Sequence, residues 1–292
     1  MLREKLQKKL RVKQLGPKEW KIEFPTAVRR LDDKFDHGID LMDEEDNREA
    51  EKIFRAVIKA CPLHIDAHHH LAMLLFDRGE ILPAIRTWGK AVDIGLRSLP
   101  GEFLMGEDRL EWRWIENRPF LRACKGLGCA LLDIDEIETP RQLFNGLLTM
   151  NPNDNQGVRA LAIKVAFAMD LPAEALNVCN RYKNDRLVDT LYGRPLALYQ
   201  MGRSAQAKKA LLNAVTLYPL VALELLKKRH VIPKNMSRSH VTLGGADEAY
   251  DYWQNLGVFW KRTEGALDLL AEVLPNRREK APTAEVLPFR HG

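Results

Sequence analysis

Small and large apolar residues recur in this chain at a spacing of 34: Ala50 and Ala84, Phe54 and Trp88, Val57 and Ala91. The spacing returns, less regularly, further along. A period of this length marks stacked helix-turn-helix units, each of which buries its apolar face only against its neighbours. It sets the architecture as an all-α, right-handed helical-hairpin solenoid and makes partner binding the default function. It does not name the partner.

Five units can be laid along this period. The first contains Gly38, Ala50, Phe54 and Pro62, and the second Leu71, Ala72, Gly79, Ala84, Trp88 and Ala91. The third holds Leu127, Gly128, Leu131, Phe144, Leu147 and Pro152. The fourth begins at Leu161 and Ala162 and, after a one-residue slip, continues with Ala175 and Cys179. The fifth supplies Gly202, Ala207, Leu211, Ala214 and Pro219. Small residues let the two helices of a unit approach, large apolar ones fill between them, and proline ends the unit.

At these residues the chain resembles the tetratricopeptide-repeat (TPR) family over roughly residues 27–220, although the tryptophan that opens the family pattern is missing throughout. Within that family, the stretch Asn151-Pro152-Asn153-Asp154-Asn155-Gln156-Gly157 looks like an inter-repeat linker of a bacterial-type group. Some of that group carry a cysteine-rich zinc tail. Here no cysteine follows Cys179, so the zinc function is not carried over.

The register breaks at 99–117, where Trp112 and Trp114 flank Arg113, and this stretch reads as an insertion between the second and third units. The expected organisation is a basic N-terminal arm at 1–26, a solenoid at 27–220 with that insertion, a helical cap at 221–274 and a flexible tail at 275–292. Within the cap, residues 220–229 read as a helix, Val231–Gly245 as a loop and Ala246–Leu274 as a helix pair closing the open end of the stack. Leu2, Leu6 and Leu10 fall four apart, a spacing that allows residues 2–14 an amphipathic helix with a cationic face. Such a helix could lie on an anionic membrane, track a nucleic-acid backbone or pack back on the solenoid, and packing or simple disorder is the better reading.

Charge is distributed unevenly. Residues 1–30 carry ten Lys or Arg against Glu4, Glu19 and Glu23, a balance of +7 within a chain of +5, so the rest is close to neutral. No run of about 18 apolar residues is present, so no membrane span is expected. Cys61, Cys124, Cys129 and Cys179 are scattered on helix faces or ends, where a thiol packs as a small hydrophobe. With no secretory h-region at the N-terminus, these point to a reducing, cytoplasmic setting.

No nucleophile elbow, H-E-x-x-H, phosphate loop or dinucleotide fingerprint occurs, so enzyme activity, a metal and a cofactor are not expected. His64, His68, His69 and His70 hold an i, i+4 pair but no third ligand nearby, and packing explains them better than zinc. Asp133, Asp135, Glu136 and Glu138 alternate like calcium ligands, yet lack the loop glycine and the closing glutamate; an exposed turn between two helices is the better reading. Large aromatics mostly bury, so Trp112 and Trp114 are assigned to structure.

In the TPR family, the first helices line a concave groove. The resemblance places Asp66, His69, Met73 and Phe76 there in the second unit, Arg122, Lys125, Cys129 and Leu132 in the third, Gln156, Arg159, Ile163 and Ala166 in the fourth, and Asp189, Tyr192, Leu196 and Tyr199 in the fifth. With cysteine and methionine where relatives that clamp a C-terminal carboxylate use asparagine, that clamp is not expected. The implied function is a non-enzymatic scaffold that binds a protein segment, acidic in character, through Arg122, Lys125, Arg159, Tyr192 and Tyr199. The alternative is a nucleic-acid-associated protein using the basic arm with Lys227, Lys228, Arg229, His230, Lys234 and Arg238. Deleting residues 1–25 separates the two.

Overall fold

The structure is a computed structural model describing residues 9–237 and 240–274, with a further strand at 285–288 described in its backbone alone. It divides into two compact units, Met1–Val158 and Arg159–Gly292.

The first unit opens with an antiparallel hairpin, β1 (Arg11–Gly16) and β2 (Glu19–Glu23), followed by a short helical turn α1 (Thr26–Arg29). Three helical hairpins follow: α2 (Asp32–Asp43) with α3 (Asn47–Ala60), α4 (Ile65–Asp77) with α5 (Ile81–Ser98), and α6 (Arg118–Leu132) with α7 (Glu138–Met150). The second unit holds α8 (Val158–Ala168), which begins at the boundary, with α9 (Pro172–Arg181), and then α10 (Val188–Gln200) with α11 (Ser204–Leu217). After these come α12 (Pro219–Leu225), β3 (His240–Leu243), α13 (Ala246–Arg262), α14 (Ala266–Val273) and β4 (Glu285–Pro288), the last paired antiparallel with β3.

These five hairpins are the five units of the sequence period. Ala50, Phe54, Val57, Ala84 and Ala91 are fully buried, and Trp88 nearly so. Small residues in the first helix of a unit permit its second helix to close in. A methyl group on Gly38 would sit 2.7 Å from the Phe54 ring, and one on Gly128 2.5 Å from Phe144.

Each hairpin also turns its corner in the same way. A residue two or three positions past the first helix is left-handed in every hairpin: Glu45, Gly79, Asp135, Asp170 and Gly202, with φ of 62°, 80°, 59°, 55° and 74°. The next amide then reaches back to the carbonyl five residues earlier: Asp46 to Leu41, Glu80 to Leu75, Glu136 to Leu131, Leu171 to Ala166 and Arg203 to Leu198. That is the Schellman closure, and it satisfies carbonyls the helix end would otherwise leave unpaired. The acidic run around Asp135 is therefore the corner of the third hairpin.

Local detail differs towards the two ends of the chain. Residues 11–14 are strand, so the helix that the leucine spacing allows at 2–14 does not extend across them; residues 1–8 lie outside those described. Past Lys9 the basic stretch packs on the body, with Leu10, Trp20 and Ile22 in the core. The loop expected at Val231–Gly245 contains β3, and most of the tail expected at 275–292 lies outside the described residues, Glu285–Pro288 being strand.

The 99–117 insertion is the dock for the N-terminal hairpin. The Trp20 amide donates to the Arg109 carbonyl (2.9 Å) and the Arg109 amide to the Lys18 carbonyl (2.8 Å). The Trp20 indole N–H donates to Asp108 (2.9 Å). Asn117, fully buried, accepts from the Ile22 amide through Oδ1 and donates through Nδ2 to the Trp20 and Glu111 carbonyls. Trp112 is buried under the Arg118 guanidinium, and Trp114 donates to Glu19, so both serve structure.

Candidate partner-binding faces

The N-terminal turn of α4 sets up the first unit's candidate face. His64 caps this helix, its Nδ1 accepting from the Ala67 amide at 3.1 Å, and burial pushes its imidazole down to about 4. His68, His69 and His70 are likewise lowered by burial, so they are neutral near pH 7. His69 Nδ1 accepts from the Trp88 indole (3.0 Å), which fixes its proton on Nε2. His68 bonds the Pro62 carbonyl through Nε2 (3.1 Å) and His70 the Asp66 carbonyl through Nδ1 (2.8 Å). The four rings thus pack the second hairpin.

On the same face, Arg122 of α6 donates to Asp66 at 2.6 Å. Lys125, one turn further, donates to the Gln156 carbonyl at 2.9 Å. Beside these pairs Met73, Phe76, Cys129 and Leu132 are half-buried, and Phe76 leans on Trp88 with ring centroids 5.7 Å apart. On this face Arg122 is paired with Asp66 and Lys125 is held by a carbonyl, next to half-buried apolar residues.

In the second unit the corresponding face is occupied by the chain itself. Tyr192 is fully buried, its hydroxyl donating to the Tyr218 carbonyl at 2.6 Å, so it offers nothing to a partner. What covers it is α13. Tyr252 and Trp260, two turns apart, lie 5.6 and 6.4 Å from the Tyr192 ring, and Leu256 between them is fully buried. Phe259 stacks near Phe167 of α8 (5.7 Å), Lys164 donates to Asn255 (2.9 Å), and Gln200 donates to Thr263 (2.8 Å). This is a helix seated by anchors at i, i+4 and i+8 on a first-helix face. The last helix pair was expected to close the end of the stack; α13 packs on α12 as well as on α10, and α14 packs on α11, α12 and α13.

Arg159 forms an ion pair with Asp185 (2.6 Å) and lies over the Tyr182 ring, so its charge is also engaged. Tyr199 is half-buried, its hydroxyl set against Gly265. Near the start of α13, burial raises Glu248 to about 7 and also raises Asp251, and on α10 it raises Asp189 to about 6. In the alternative basic stretch, Lys227 and His230 both contact the buried Glu224, and His230 stacks on Trp253 at 3.6 Å. Arg238 lies outside the described residues.

The sequence carries the signal for the α13 site in Tyr252, Leu256 and Trp260, apolar residues spaced four apart along one face of the helix. The Asn151–Gly157 linker proves structural. Asp154 accepts from the Val158 amide (2.7 Å), capping α8, and Asn151 accepts from the Trp112 amide (3.2 Å).

A family model described as "Transcriptional repressor TCF25" matches residues 40–264. No curated protein matches the sequence. Among solved structures, the chain is similar to a MamA protein at 16% identity and a TM-score of 0.49, over 72% of this chain and 100% of that one. It is similar to YrrB, described as a TPR protein with an unusual peptide-binding site, at 13% identity and 0.49, over 67% and 93% of the two chains. A tetratricopeptide repeat protein from Parabacteroides merdae aligns at 14% and 0.48, over 67% and 68%. No helix among the described residues is long and apolar enough to cross a membrane.

Proposed function

The chain belongs to the Tcf25 family, and from that premise we propose that it is a non-catalytic scaffold whose first unit seats a helical segment of a partner protein. The observation that carries this reading is the half-buried strip of Met73, Phe76, Cys129 and Leu132 beside the Asp66–Arg122 pair. The second unit fills its own first-helix face with an aromatic-anchored helix, which supports a helix as the occupant here too. Because Arg122, Lys125 and Arg159 already hold intramolecular partners, burial of apolar surface supplies the affinity and the charges set orientation. The family's description as a transcriptional repressor supports a partner that acts in transcriptional repression.

Capture from lysate under nuclease treatment, comparing wild type with Met73→Glu/Leu132→Glu, tests the reading. It requires a protein lost from the variant alone; an unchanged protein set refutes it. The nucleic-acid alternative is supported by Lys9, Arg11 and Lys13, which are exposed at the start of the β1–β2 hairpin. Deleting residues 1–25 would remove the core residues Trp20 and Ile22, so Lys9→Glu/Arg11→Glu/Lys13→Glu is the cleaner probe. Nuclease-sensitive capture lost in that variant would favour the alternative.

A further inference from the structure

Most cations named above are held by a carboxylate or carbonyl of their own unit. Lys183, Arg194 and Lys209 are different. Among the described residues none of the three has a hydrogen-bond or ion-pair partner, and all three line one cleft of about 480 Å³. It lies between α9, α10 and α11, within the second unit.

Helical spacing brings these side chains together. On α10 the lining residues Thr190, Leu191, Arg194 and Leu198 form a stripe distinct from that of Tyr192, Leu196 and Tyr199. On α11 Gln206, Lys209, Ala210 and Asn213 repeat at i, i+3, i+4 and i+7. Lys183 enters just after the end of α9. The cleft is thus separate from the face that α13 covers, and no carboxylate lines it.

Three like charges around one concavity repel each other, and an anion placed among them removes that repulsion while gaining three charge-assisted contacts. The donors also match a phosphate. Arg194 offers a planar fork for two oxygens, and Lys183 and Lys209 offer compact charges from two other elements. Thr190, Gln206 and Asn213 add hydroxyl and amide groups for the remainder of the ligand. The volume lies in the range of small-molecule sites and exceeds what one inorganic anion needs.

We propose that the α9–α10–α11 cleft is a binding site for a compact phosphate ester carrying more than one negative charge. The same chemistry arises from a free polyphosphorylated small molecule or from a phosphorylated side chain, and two ligands separate these sources. Calorimetric titration of the full chain would use inorganic tripolyphosphate in one arm and a phosphoserine peptide in the other. The tighter of the two identifies the source.

In either arm the proposal requires saturable binding at one site per chain. Arg194→Gln should weaken it at least tenfold, Lys183→Gln/Arg194→Gln/Lys209→Gln should abolish it, and Lys9→Gln/Arg11→Gln/Lys13→Gln should leave it unchanged. All three cleft cations are exposed, so circular dichroism should be the same for variant and wild type. Amide shifts in wild-type protein read the site without any substitution and should cluster within 179–213. Binding that survives the triple cleft variant, is lost in the N-terminal variant, or shifts amides elsewhere overturns the proposal, as does the absence of saturable binding in both arms.

Discussion

Trp260→Ala is the perturbation that most sharply probes how α13 is held. Trp260 is 1% exposed, and its indole N–H donates to the Tyr252 hydroxyl at 2.9 Å. Truncating a buried tryptophan costs about 3–5 kcal/mol through lost transfer energy and the residual cavity. The Tyr252 hydroxyl, itself buried, then loses its donor, which adds about 1 kcal/mol. The expected loss is therefore about 4–6 kcal/mol, comparable with the whole stability of a small domain, about 5–15 kcal/mol. Guanidinium denaturation would measure the loss, and hydrogen exchange would locate it. Amides of α10 beneath Tyr252 and Trp260 should open, while those of α4 and α6 keep their protection. Val258→Ala on the same helix, at 58% exposure, is the control and should cost no more than about 0.5 kcal/mol. A loss below about 1 kcal/mol for Trp260→Ala, or unchanged exchange in α10, would refute the docking described here.

Other outcomes follow from the same geometry. Glu248 is held near pKa 7 by burial, with Asp189, Asp247 and Asp251 adding to the rise, so between about pH 4.5 and 7 the folded state keeps a proton that the unfolded state has released. Stability of the second unit should therefore fall as pH rises through that window. Glu248→Gln should gain about 3 kcal/mol at pH 8 and nothing at pH 4 by denaturation; an equal effect at both would contradict the assignment. The lowered histidines of the first unit act with the opposite sign, which is why the difference between variant and wild type is the quantity to follow. Asn117→Ala leaves the Ile22 amide and the Trp20 and Glu111 carbonyls without a buried partner and should cost about 3 kcal/mol, with faster proteolysis near residues 11–23. Gly128→Ala drives a methyl to 2.5 Å from Phe144 and should cost about 1–3 kcal/mol in thermal or denaturant unfolding.

The hairpins were legible because repeat packing demands residues of particular size at particular positions. Gly38 against Phe54 and Gly128 against Phe144 are small-large pairs that a periodic reading finds. The common corner was half legible: Gly79 and Gly202 advertise a left-handed turn, but Glu45, Asp135 and Asp170 adopt it without glycine. What the sequence could not yield was pairing at long range. The Leu2, Leu6 and Leu10 spacing suggests a helix, yet Leu10 is buried with its amide on Ser98, and the next residues pair as a hairpin against a segment some 88 residues away. Two of the groove residues, Tyr192 and Arg122, are engaged within the chain for a related reason. Repeat position tells which way a side chain leaves its helix and not what comes to cover it. Tyr192 faces as expected but lies under α13, and Arg122 meets Asp66 across helices.

The claim that the first unit's α4–α6 face receives a partner helix is tested most directly by photo-crosslinking from that face. A photoreactive residue in place of Met73, which is half-buried on the strip, would be compared with one in place of Leu212, which is exposed on α11. The account predicts that a protein crosslinks from position 73, does not crosslink from 212, and is competed away by a peptide copy of the crosslinked segment. Equal crosslinking from both positions, or crosslinks from position 73 only to the chain's own residues, would contradict it.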